Sequence, residues 1–157
     1  LETAIVPRNK PRDVQAIYIA AETFALRSRS WNRLRFEIEY ALEKGTTANS
    51  FLIQGTLLAL IDPPGGTFTE IYLNELRQRI NVGDISYVVL GHVNQNRIDT
   101  LKALLEINRR ITFICTNPGA IALRQSLEET FGKDLKIQVV RGEETLDLGK
   151  GHILKFI

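Results

Sequence analysis

The chain has 157 residues, 44% hydrophobic and 24% charged, which is ordinary for one soluble globular domain with a real core. Its 20 Lys and Arg against 18 Asp and Glu leave a formal charge of +2, too small to call for a nucleic-acid partner. A single cysteine, Cys115, rules out a disulfide within the chain and a zinc cluster built on thiolates.

Apolar runs such as Leu57 to Ile61 are far short of a membrane span, and the first residues lack the basic-then-apolar layout of a signal peptide. A cytoplasmic protein with no membrane insertion is expected. The first 12 residues form a polar lead-in. Val14 to Ala20 is apolar and β-branched, and Thr23 to Arg29 alternates, so both are predicted strands. Over residues 33–40, Leu34, Phe36, Ile38 and Tyr40 alternate with Arg33, Arg35, Glu37 and Glu39. A period of two with one apolar face predicts a half-buried, antiparallel strand. Arg27, Arg29, Arg33 and Arg35 are expected on a solvated strand face. Ser50 to Ile53 and Leu57 to Ile61, joined by Gln54-Gly55-Thr56, predict a hairpin.

Beyond Ile61 the pattern changes. Asp62-Pro-Pro-Gly-Gly is a loop. Thr67-Phe-Thr-Glu70 has the spacing of a capping box, which predicts a helix from about Thr67 to Ile80 burying Phe68, Ile71, Tyr72 and Leu76. Ile85 to Gly91, Ile111 to Cys115, Lys136 to Val140 and Gly151 to Ile157 are predicted strands. Ile98 to Ile107 and Pro118 to Phe131 are predicted helices, the latter with proline in its first turn. Antiparallel strands followed by a βαβαβ block imply a mixed α/β sheet covered on one face by helices. The last residues lie inside an apolar strand pattern with no polar tail, so a fragment of something longer is expected.

Two places could carry chemistry. The loop Gly91-His-Val-Asn-Gln-Asn-Arg97 lies between a buried strand and a helix, where α/β proteins place their sites. By composition alone, one histidine among amides is a poor metal site, and Asn96 or Asp99 could simply cap the next helix. Asp62, at a strand end before Pro-Pro, could be a ligand, an anchor that orients a ligand or a turn former; Asp-Pro chemistry favours the turn. Pro64-Gly65-Gly66-Thr67 lacks the lysine of a P-loop. His152 reads as an edge residue, and Cys115 as a buried thiol. No spacing reads as a Ser/His/Asp triad.

Five segments, in order and correctly spaced, carry a more specific signal: Arg27-Ser-Arg-Ser-Trp31, Gly45-Thr-Thr-Ala-Asn-Ser-Phe51, Leu60-Ile-Asp-Pro-Pro64, Ser86-Tyr-Val-Val-Leu-Gly-His92 and Thr145-Leu-Asp-Leu-Gly149. Together they resemble the metallo-β-lactamase-like domain of flavodiiron proteins, and in particular the cyanobacterial diflavin flavoproteins. The resemblance implies the N-terminal portion of a metallo-β-lactamase-like αββα sandwich over residues 1–157. It also implies flavodoxin-like and flavin reductase domains outside this chain. The family's cofactors are a diiron centre, FMN and a second flavin. Electrons pass from NAD(P)H through flavin to the diiron site of a neighbouring subunit, where oxygen is reduced to water.

In that family the loop reads His-x-Glu-x-Asp-His. The first His falls on His92, the Glu on Asn94, the Asp on Asn96 and the second His on Arg97. Asp62 matches a superfamily Asp at the preceding strand end. Two carboxylates thus become neutral amides, and one imidazole becomes a permanent cation. Unit charges ~4 Å apart interact by about 4 kcal/mol at an effective dielectric near 20, so the swap is on the order of 10 kcal/mol gross. An ordinary diiron centre is therefore not expected, nor tight cofactor binding by this chain. Arg97 is expected to pair with an acidic group or an anion. The resemblance leaves three readings: part of a flavodiiron oxidoreductase, a catalytically degenerate partner in a hetero-oligomer, or a hydrolase of the same fold. The last is disfavoured because hydrolases need the same ligand cluster. The expected partners are the rest of the polypeptide and another flavodiiron subunit, the same or different.

Overall fold

Alternating and short apolar segments assemble into one seven-stranded sheet in the computed structural model, which describes residues 12–31 and 46–157. The strands are β1 (Arg12–Ala20), β2 (Thr23–Ser30), β3 (Thr46–Gln54), β4 (Leu58–Ile61), β5 (Ile85–Val89), β6 (Thr112–Cys115) and β7 (Lys136–Val139). They lie side by side in chain order, antiparallel from β1 to β4 and parallel from β4 to β7. The parallel half needs crossovers, which α1 (Thr69–Arg77), α2 (Ile98–Ile107) and α3 (Asn117–Phe131) provide. The mixed α/β sheet expected from the element order is present. The expected strand over residues 33–40, with Arg33 and Arg35, lies outside the described residues.

The period of two sorts side chains between the two faces. Leu26, Leu52, Leu60, Val88 and Phe113 point to the helices and join Tyr72, Leu76, Leu101, Leu104, Leu123 and Leu127 in the main core. Truncating one such leucine to alanine costs about 2–5 kcal/mol. Ile53 and Ala59 point the other way and pack on Leu148, with Ile61, Tyr87, Leu146 and Leu154 around them. Leu148 belongs to a hairpin of β8 (Thr145–Asp147) and β9 (Ile153–Lys155) that forms a separate two-stranded sheet. No helix among the described residues is long and apolar enough to cross a membrane.

The structure corrects several expectations. The capping box does not form. Gly66–Phe68 is a single 3₁₀ turn, the helix begins at Thr69, and its start has no side-chain cap. Threonine 67 is spent in the tighter turn, so its hydroxyl is one position too early. The helix ends at Arg77 rather than Ile80, where the Arg79 and Ile80 amides both turn back to the Leu76 carbonyl. Ile71 is only half-buried. Arg29 is not simply solvated: it forks onto Asp13 at 2.7 and 2.6 Å and lies 5.2 Å from the Trp31 ring centroid. The last strand is only Ile153–Lys155, and His152 precedes it, because β8 gives it a short partner rather than a long edge.

Candidate functional site

The parallel strands deliver their carboxyl ends, and the loops that follow them, to one edge of the sheet. β4 stops at Ile61, and Asp62 turns away in the left-handed region at φ 50°. Asp tolerates that conformation better than most residues because its short polar side chain bonds locally. The Asp62 amide still donates to the Val89 carbonyl at 2.9 Å. Its carboxylate swings over the end of β5, where Oδ1 accepts the Gly91 N–H at 3.0 Å. Residue 91 sits close to this carboxylate: a Cβ there would lie 3.2 Å from Asp62 Oδ2.

The same oxygen accepts from the Arg97 guanidinium, forming an ion pair with both side chains partly buried, at 22% and 29% exposure. Arg97 closes a 3₁₀ turn, Gln95–Arg97, that runs directly into α2. The cap of that turn is Asn94, whose Oδ1 accepts the Arg97 N–H at 3.2 Å; neither Asn96 nor Asp99 plays that part. A carboxamide at this position therefore has a local job that fixes the loop. His92 and Asn96 are exposed.

Beneath this surface lies a polar pair that sequence reasoning missed. Tyr72 and Ser50 are fully buried, with their hydroxyl oxygens 2.6 Å apart. The Ser50 hydroxyl also donates to the Ile61 carbonyl at 2.7 Å. Burial pushes the Tyr72 phenol far above its ordinary range; the Ser50 hydrogen bond and the Arg97 charge oppose that, and Asp62 adds to it. Tyr72 stood on the apolar stripe of its helix and read as core, which it is. Its hydroxyl, beside a serine at an inward strand position, was the available signal. Cys115 is buried as expected, and burial raises its thiol pKa.

No family model matches the chain. Individual proteins do. Diflavin flavoprotein A 6 of Nostoc sp. is 66% identical over 150 residues, covering 96% of this chain and 26% of the relative. The crystal structure of a fragment (1–254) of diflavin flavoprotein A 5 from Nostoc sp. superposes with a TM-score of 0.87 at 55% identity, covering 94% of this chain and 57% of that one. The metal-soaked flavodiiron core from Synechocystis sp. gives a TM-score of 0.84 at 49% identity, covering 92% and 36%. Over nearly all of its length the chain is homologous to diflavin flavoproteins. It matches their N-terminal part and spans about a quarter of the length of the curated relatives, 26% for the one at 66% identity. Its fold is correspondingly that of a flavodiiron metallo-β-lactamase-like core.

A diflavin flavoprotein with a diiron core would need carboxylates and neutral imidazoles converging on this edge. The residues present do not fit that group. Asp62, a carboxylate bonded to the loop, is paired with a guanidinium that cannot give up its proton. The amide oxygen of Asn94 is engaged by backbone. Among the described residues no three of His, Cys, Asp and Glu gather in a ligand-like group. The mismatch rests on the chemistry of this donor set: a permanent cation, Arg97, is paired with the Asp62 carboxylate.

Proposed function

We propose that residues 1–157 form the N-terminal portion of the metallo-β-lactamase-like domain of a cytoplasmic diflavin flavoprotein. Its flavodoxin-like and flavin reductase modules lie in the rest of the polypeptide. The parent is an oxidoreductase that takes electrons from NAD(P)H through two flavins and delivers them to oxygen, forming water. The observation carrying this reading is the 66% identity to a diflavin flavoprotein over 96% of the chain, joined to the matching core fold.

A second reading has its own support, the Arg97–Asp62 ion pair. In it, this subunit contributes flavin and framework to an oligomer, and a neighbouring subunit with the full His-x-Glu-x-Asp-His motif carries the iron chemistry. The motif match sets Arg97 on a ligand position, where its permanent positive charge would repel a metal ion. Oxygen uptake with NAD(P)H separates the two readings. It is measured for the purified full-length protein alone and mixed with a subunit bearing the intact motif. Turnover by the protein alone supports the first reading; turnover appearing only in the mixture supports the second.

A further inference from the structure

The Ile61–Asp62 peptide is gripped at both of its polar atoms. Its N–H donates to the Val89 carbonyl at 2.9 Å, and its C=O accepts the Ser50 hydroxyl at 2.7 Å. Each grip comes from a neighbouring strand, β5 on one side and β3 on the other. Ser50 has one proton, and a carbonyl can only accept, so that proton goes to Ile61. Tyr72 must then be the donor to the Ser50 oxygen. The hydrogen bonds therefore run one way, from the helix through the serine to the peptide that precedes Asp62. Asp62 is left-handed, so the plane of that peptide largely decides where its carboxylate points. The carboxylate in turn is what Gly91 and Arg97 bond to.

We propose that Tyr72 and Ser50 are positioning residues: a buried brace that aims the Asp62 carboxylate and, through it, holds Arg97 and the Gly91–Arg97 loop. Both residues are fully buried, and their hydroxyls bond to each other and to the Ile61 carbonyl. A simple anchor of α1 on the sheet would need only packing, which the Tyr72 ring supplies by itself. The hydroxyls add direction. The inference rests on geometry and holds under either reading of the catalytic role.

The test uses the full-length protein and a readout at Arg97 itself. Tyr72→Phe keeps the ring and removes one hydroxyl; Ser50→Ala leaves the Ile61 carbonyl without its buried donor. Arg97 reactivity toward phenylglyoxal is followed by peptide mass spectrometry, with Arg124, exposed on α3 and paired with Glu128, as the internal control. Losing one hydrogen bond is expected to raise Arg97 modification roughly fivefold in Tyr72→Phe and somewhat more in Ser50→Ala, with Arg124 unchanged. The decisive comparison is the cycle with Asp62→Asn. If the brace acts through Asp62, Tyr72→Phe adds little once Asp62 has been changed. Equal increments in both backgrounds, or a rise shared by Arg124, or no rise in Tyr72→Phe, would each overturn the proposal. Because Tyr72→Phe preserves the core, poor folding of Ser50→Ala leaves the cycle intact.

Discussion

The two ends of β4 are held in similar ways to different ends. At its carboxyl end, Asp62 takes a left-handed turn and pairs with Arg97. Toward its start, Glu22 in the β1–β2 turn is also left-handed, at φ 54°, and pairs with His152 at 2.9 Å and Lys150 at 3.2 Å. The Glu22 carbonyl accepts from Gln54, and the Leu148 carbonyl accepts from Leu57, so three turns are tied together there. The first arrangement holds a loop that precedes a helix, where the family motif would carry ligands. The second fastens a late hairpin across two early ones. An acid in a left-handed turn thus serves as a clip at both ends, and only the surroundings of the clip separate a site from a joint. At the Asp62 end the cation is partly buried and backed by a buried hydroxyl pair; at the Glu22 end the lysine is half exposed, at 52%.

Substitutions can break this comparison in graded steps. Leu104→Ala, in the main core, should loosen both ends together, lowering stability by about 2–5 kcal/mol in thermal melts of the full-length protein. Gly149→Ala should act on the Glu22 end alone. Gly149 sits at φ 79°, and an added Cβ would collide with the Thr56 side chain. A loss of about 2–3 kcal/mol is expected, with faster hydrogen exchange confined to residues 145–155. A uniform rise across the sheet would mean the hairpin is part of the main core rather than a separate clip.

Asp62→Asn isolates the other end. Asn accepts the left-handed turn as well as Asp does, so the change leaves the turn in place and removes the charge that holds Arg97. About 1 kcal/mol should be lost, given that the pair is partly solvated, with faster exchange in residues 91–97 and none in 145–155. The smallest effect is electrostatic and acid-dependent. The hydrogen bonds from His152 and then Lys150 hold the Glu22 carboxyl below its ordinary pKa. A lowered folded-state value means the contribution is present above the ordinary glutamate range and fades as pH falls through the folded one. Hairpin exchange, corrected for intrinsic rates, should therefore quicken on acidification in the native protein. In Glu22→Gln it should be fast already and respond little to acid. An acid response of the same size in both proteins would assign the effect to other groups.

Much of the fold was legible because periodicity survives in short segments. Ile98–Ile107 is the helix its spacing predicts, and the β3–β4 hairpin and the four-strand parallel run fall where apolar runs and turns put them. The errors cluster at ends. Thr67 has capping chemistry, yet a 3₁₀ turn consumes it; Thr145–Asp147 carries too little pattern in 3 residues to announce a strand. At the site, the sequence alone supplied the residue types: one Asp at a strand end and one Arg in a motif that resembles a row of metal ligands. Which partner each would take was not in the spacing. Asp62 and Arg97 are 35 residues apart, and Ser50 and Tyr72 are 22 apart. Only a parallel neighbour strand brings the first two together, and only a helix crossing back over the sheet closes the second pair. Local patterns fix which face a side chain takes. Charge pairing and buried hydrogen bonds across such distances depend on how the elements pack, because those energies exist only once water has been excluded between them.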